Sequence, residues 1–288
     1  MRYEDRTPDN EVNTPGRHPL REFLRLGVMA VVAVIVLSFL FSVVGGKLGS
    51  MLPFEAELWV AERIHTVSQN AGQESPFEQK IIKPELQNYL QSVGDRVAAA
   101  LHIEKPVQFT VHYSDDDVVN AFATIGGHVY FFKGLLSLLP HENALAMLVA
   151  HEYSHVTLRH PAKGLGGGLA LSIGTSLIGL TSENSLFSLG SRLTSTGFSR
   201  NMETQADRSA LAAVNTMYGH VNGAGALFEL FMQQRSGGGN AQFEKFFSTH
   251  PLDQDRIEKI NNLALENGWL TVGDPVPLPE SYNDWLSQ

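Results

Sequence analysis

The sequence predicts an α+β fold, predominantly helical, with a small sheet and one transmembrane helix ahead of it. Three observations carry this expectation. The run from Leu26 to Val44 holds no charged residue and is long enough to cross a bilayer as a helix. Several later segments repeat apolar residues at spacings of three and four, the period of a helix with one buried face. Two β-prone runs flank Gly126–Gly127, which reads as a hairpin.

The bulk numbers fit that architecture. With 288 residues and 43% hydrophobic content, the chain is large enough for one medium-sized domain plus a membrane segment. A charged content of 18% excludes wholesale disorder. The formal net charge of -9 argues against nucleic acid as a partner. The chain has no cysteine, which removes disulfides, thiol nucleophiles, cysteine-type zinc sites and a lipoprotein signal together.

Residues 1–25 read as a cytoplasmic tail and 26–45 as an uncleaved signal anchor that lies in the lipid bilayer. No small-x-small cleavage site follows the apolar run, and the segment before it is long and partly acidic. Arg17, Arg21 and Arg25 precede the span, and only Lys47 follows closely. The positive-inside rule then holds the N-terminus in the cytoplasm of a bacterial-type inner membrane and puts the rest in the periplasm. Residues 46–80 read as a connector with a short amphipathic piece from Phe54 to Val67, and 81–288 as the main domain.

Within that domain, Leu86, Leu90, Val93, Val97 and Leu101 mark a helix from Pro84. Val107–Tyr113 reads as a strand, and His128–Phe132 as the second strand of the hairpin. A helix after Pro140 carries Ala144, Met147 and Leu148 into His151 and His155 on one stripe and stops near His160–Pro161. His160 reads as a complement to that helix's C-terminal dipole. Further helices are expected over about Ser199–Met217, Ala224–Gln234 and Asp253–Glu266. A glycine loop lies at 236–240, and the last twenty residues look irregular.

The chemistry lies in His151-Glu152-Tyr153-Ser154-His155. Residues four apart in a helix lie one turn apart on the same side. Two imidazoles so placed can reach one zinc ion. Glu152 is rotated by about 100° from His151, out of the metal's shell but within reach of a water to be activated there. The bland alternative is a pair of core histidines, each bonded to backbone. A catalytic zinc also needs a third protein ligand. Glu203 and Asp207, four apart on a helix whose Ala210, Leu211 and Val214 continue the same face, supply candidates. Two buried carboxylates are unfavourable unless paired or bound to metal. Glu203 is therefore expected to ligate one Zn2+ per chain, with Asp207 accepting the second ring N–H of a ligand histidine.

All ligands must share one compartment. A single crossing by the uncharged, glycine-rich run at residues 164–180 would separate His155 from Glu203. That run is therefore expected to be a hairpin or helix, buried or facing the membrane, near the site.

At HEYSH and METQAD the chain resembles zinc metallopeptidases of the HtpX and CAAX-prenyl-protease type, gluzincins whose pattern is HExxH followed by ExxxD on a second helix. Asn120–Ala123, the GGHVYF hairpin, Ser199–Arg200, and Ser248–Pro251 with Arg256–Ile257 also look like that family. The resemblance covers roughly residues 80–265. It implies a gluzincin-type domain that cleaves unfolded or misassembled membrane and envelope polypeptides as quality control. His151, His155 and Glu203 would be the metal ligands, Glu152 the general base and Asp207 the outer carboxylate. Gly127, His128, Val129 and Tyr130 would form an edge strand that pairs with substrate. From its place in the STHP segment beside the glycine loop, His250 is read in one of two ways: it stabilises the oxyanion or sits over the open metal position as a gate, or it is a loop histidine that caps the next helix. With one convincing span, the chain looks closer to the envelope-facing relatives than to the multi-spanning members. The alternative from another class is a zinc-stabilised chaperone or scaffold with little or latent proteolysis. The sequence names no protein partner.

Overall fold

The structure is a computed structural model and describes residues 19–70, 72, 75, 77–78, 80–103, 107–177, 197–236, 243–251 and 254–287. The N-terminal tail to residue 18, residues 178–180 of the glycine-rich run and residues 237–240 of the glycine loop lie outside the described residues.

The apolar segment forms one helix, α1 (Pro19–Met51), longer at both ends than the expected span. Nothing from Leu20 to Leu52 breaks a helix, and Pro53 ends the run. Its apolar side chains, among them Leu26, Val31, Ile35 and Phe39, point outward with no protein to cover them. It is long and apolar enough to cross a membrane. The amphipathic piece after it is α2 (Phe54–Asn70). Its buried Glu57 accepts from the Gly126 amide at 3.0 Å and pairs with Arg159 at 2.7 Å, which ties the connector to the sheet.

The domain is built around α5 (Glu142–Thr157), every residue of which from Glu142 to Val156 is buried. His141 caps its start, Nδ1 accepting from the Ala144 amide at 3.2 Å. Against it pack α3 (Pro84–Ala100) and α7 (Arg200–Tyr218). In α3, Leu86, Leu90, Val93 and Val97 form the buried stripe. Gly94 on the same helix admits Tyr153, whose hydroxyl lies 2.2 Å from where a Cβ would stand. The Tyr153 ring stacks on Phe109 at 3.7 Å. Ser199 caps α7, and Gly219 ends it in the left-handed region at φ 74°.

The sheet holds β1 (Thr110–Ser114), β2 (Ala121–Ala123) and β3 (His128–Phe132) in the order β1-β3-β2. The hairpin joins β2 to β3 antiparallel through a tight turn at Ile125–Gly127. Gly127 has φ 79° and sits where a Cβ would be 2.0 Å from the Gln108 carbonyl oxygen. The expected edge strand needs correction. Val129 pairs with Val111 on one side and with Ala123 on the other, so His128, Val129 and Tyr130 belong to the middle strand of the sheet, and Gly127 lies in the turn that precedes it. The parallel pairing of β1 with β3 leaves no local trace in sequence, and it makes β1 and β2 the two edge strands.

After α5 the chain turns through Arg159, at φ 63°, into α6 (His160–Leu177). Gly49 meets Ala162, Gly45 meets Gly166 and Ser42 meets Gly167, so α6 runs antiparallel along α1. A Cβ on Gly49 or Gly166 would lie 2.2 Å from backbone of the other helix. The glycine-rich run is thus packed on the apolar helix with backbones in contact.

The remaining helices among the described residues are the short α4 (Lys133–Leu136), α8 (Ala226–Ser236), α9 (Glu244–Thr249), α10 (Gln254–Glu266) and α11 (Tyr282–Ser287). The last corrects the expectation of an irregular C-terminus. Tyr282 donates to the Leu136 carbonyl at 3.1 Å, and Lys83 donates to the Leu286 carbonyl at 2.9 Å. Packing against α3, not local pattern, orders this turn of helix.

Candidate active site

Two helices and one loop meet at a buried cluster. α5 presents His151 and His155 one turn apart, α7 presents Glu203 from its first turn, and His250 arrives at the end of α9. One ligand atom from each of the four lies within 4.8 Å of all the others. His151 Nε2 and His155 Nε2 face each other at 2.9 Å. Glu203 Oε2 is 3.5 Å from the first, and Oε1 is 3.4 Å from the second. His250 Nδ1 lies 3.4 Å from His151 Nε2 and 3.3 Å from Glu203 Oε1.

The other ring nitrogens are already engaged. Asp207 Oδ1 lies 2.9 Å from His151 Nδ1, and His160 Nδ1 lies 2.8 Å from His155 Nδ1. Phe198 stacks on the His155 ring at 3.8 Å. Both imidazoles are therefore held with Nε2 turned inward. Two Nε2 atoms, a histidine nitrogen and a carboxylate converge on one point. That donor set suits a divalent cation of the zinc type, and the residues present fit one.

Charge in the cluster is strongly coupled. Burial works against a charged His151, but Asp207 and Glu203 outweigh it and push the imidazole up to about 9. Burial, reinforced by the neighbouring His151, drives His155 well down, so it stays neutral. Burial alone would raise Glu203, yet the charges of His250 and His151 carry its carboxyl well below the usual range. Glu152, wholly inaccessible, is pushed up by burial. Its Oε1 lies 3.4 Å from His250 Nε2, and neither of its oxygens has a well-formed hydrogen bond among the described residues.

Beneath the cluster lies Arg256, from α10. It donates through Nε and Nη2 to Asp207 at 2.5 and 2.8 Å, and its Nη1 lies 2.6 Å from Glu203 Oε2. In the sequence Arg256 stands out only through the family resemblance of the Arg256–Ile257 pair. No spacing rule connects it to Glu203. His160 needs correction as well. α5 ends at Thr157, and His160 opens α6 with its imidazole buried against His155 and lowered to about 4. A neutral ring complements no dipole. The only sequence signal was its position five residues past His155.

The expected site residues thus divide. His151, Glu152, His155, Glu203, Asp207 and His250 lie together. Of the expected substrate strand, His128 instead bonds His112, Nδ1 to Nε2 at 2.8 Å, and Tyr130 stacks between His112 and Phe122. The strand that borders the cluster is β2, whose Ala121 carbonyl lies 3.2 Å from His250 Nε2.

A mostly helical domain with a buried histidine–carboxylate cluster, and a second buried carboxylate, Glu152, beside it, defines a metallohydrolase of the HExxH class. Comparison with known proteins narrows this. The chain belongs to peptidase family M48, whose model matches residues 84–264. It is 28% identical over 205 residues to the mitochondrial metalloendopeptidase OMA1 of Schizosaccharomyces pombe, covering 64% of this chain and 60% of that one. It is 29% identical over 230 residues to a putative beta-barrel assembly-enhancing protease of Vibrio cholerae, covering 74% of this chain and 45% of that one. The metalloprotease LoiP of Escherichia coli is 26% identical over 171 residues, covering 57% and 65%. The chain thus spans roughly half to two thirds of the curated relatives it matches.

Proposed function

We propose that the protein is a zinc-dependent endopeptidase acting on unfolded or misassembled membrane and envelope polypeptides, in the single-anchor, envelope-facing form of its family. The observation that carries this reading is the convergence of His151, His155 and Glu203 beside a sequestered Glu152. His151, His155 and Glu203 would hold the metal. Zinc, when bound, supplies Lewis acidity that polarises a carbonyl and makes water acidic. Glu152 then takes the proton of the attacking water and returns it to the leaving amine. Its burial supports that role, since burial raises the carboxyl and strengthens its hold on a proton. An extended substrate would add to the free edge of β2, where the Ala121 carbonyl is available once His250 withdraws. Residues 26–45 of α1 would hold the enzyme in the bilayer with the domain on the periplasmic side, and the main domain would be 81–288.

His250 favours a second reading of the resting state. It fills the side of the cluster that substrate and water would need, touching Glu152, Glu203 and the β2 edge together. The chain would then rest latent, with His250 as its gate.

One comparison tests both. Full-length protein and its Glu152→Gln variant are assayed for bound zinc and for cleavage of casein. One zinc in each, with cleavage by the wild type alone, is the expected result. Zinc in each with cleavage restored or enhanced by His250→Ala establishes latency. Absence of zinc from both would overturn the reading.

A further inference from the structure

A cavity of about 890 Å³ lies between α1 and α6, at the point where the apolar helix meets the domain. Its outer wall is Ser42, Val43 and Lys47 of α1 with Lys163, Leu165 and Gly168 of α6. Its inner end is closed by Ala123 of β2, His160 and Phe198, the ring stacked on His155. A Cβ added at Gly168 meets nothing within 4 Å, so that glycine opens the cavity and does not pack it.

Charge decides what the cavity takes. The chain carries a formal net charge of -9, yet no carboxylate lines the cavity among the described residues, while two lysines do. Neither lysine forms an ion pair among the described residues. Their depth is also fixed. Lys47 is the first charge after the uncharged run ends at Val44. The Gly46 position lies 3.3 Å from the Lys163 carbonyl, which puts Lys163 at the same level. Below them the wall turns apolar, toward the part of α1 whose side chains face outward.

We propose that this cavity binds one anionic phospholipid. Its phosphate sits between the Lys47 and Lys163 ammonium groups, and its chains run along Val43 and Leu165 toward the bilayer. Paired cations at headgroup depth attract anionic lipid, and each contributes a separable share. The inference rests on α1 being the membrane anchor proposed above; it is independent of whether Glu152 hydrolyses anything.

The test uses the full chain in mild detergent, incubated with equal amounts of phosphatidylglycerol and phosphatidylcholine and read by native mass spectrometry. One phosphatidylglycerol retained in preference to phosphatidylcholine is expected. Lys47→Gln with Lys163→Gln should weaken that retention about thirtyfold. Gly168→Leu, which puts a side chain into the cavity and leaves both charges, should weaken it. Equal retention of the two lipids, or a double variant that keeps phosphatidylglycerol, overturns the proposal. So does a photo-crosslinker at Leu165 that captures casein and no lipid, since the cavity then belongs to the substrate. Bound zinc and casein cleavage, measured on the same samples, show separately whether the hydrolytic reading stands.

Discussion

Arg256 grips Asp207 through two nitrogens, at 2.5 and 2.8 Å, and Asp207 in turn contacts Nδ1 of His151. A buried cation therefore stands two contacts behind one proposed metal ligand, His151, and directly against another, Glu203. Removing one member of a buried charged network strands the others. Arg256→Gln is expected to lower stability by about 3 kcal/mol, read as an earlier chemical-denaturation midpoint. Bound zinc should fall with it. A variant with unchanged zinc content and midpoint would show that the arginine only fills space.

Asp207→Asn keeps the shape and removes the charge that turns His151 inward. A metal-binding histidine deprived of its outer carboxylate loses about tenfold to a hundredfold in metal affinity. Competition with a chromophoric chelator should show that loss, while Glu152→Gln, which touches no ligand atom of the metal, should leave affinity within about threefold.

Gly94 and Tyr153 set a packing test away from the histidine cluster. A methyl group at Gly94 would collide with the Tyr153 hydroxyl, whose ring is pinned against Phe109. Gly94→Ala should destabilise by about 1–3 kcal/mol through overpacking, although alanine is the better helix former. Gly94→Ala combined with Tyr153→Phe should recover part of the loss in thermal melts.

Glu142 supplies a pH dependence outside the metal site. Burial alone would raise its carboxyl, but hydrogen bonds from Arg96, Tyr89 and Tyr218 hold it below the usual carboxylate range. A lowered folded pKa contributes stability above the unfolded pKa and loses it as pH falls through the folded value. The difference in stability between wild type and Glu142→Gln should therefore be largest near neutral pH and shrink in acid. A difference that stays constant between neutral and strongly acid pH would refute the assignment.

Elements whose order depends on their own periodicity were legible from sequence. α3, α5 and α7 fall where apolar spacing and capping residues put them, and the uncharged run forms one apolar helix. The two histidines of α5 and the carboxylates of α7 could be proposed together because helical geometry fixes i and i+4. What could not be read depends on contact between distant segments. β1 pairs parallel with β3 across a connection without a signature, so β3 is the central strand and β1 and β2 are the edges. Arg256 reaches Glu203 from 53 positions away in sequence. α11 is ordered by the partners it finds on α3 and beside Leu136.

The contact of Gly49 with Ala162 has a mechanical meaning. Ala162 is two residues beyond His160, and His160 touches His155. With α1 anchored as proposed, the cutting centre is not a head swinging on a tether. It is bolted to its post, with a fixed height and a fixed heading. Such an enzyme would select bonds by their distance from the bilayer as much as by the residues around them, and a lengthened stalk should change where it cuts.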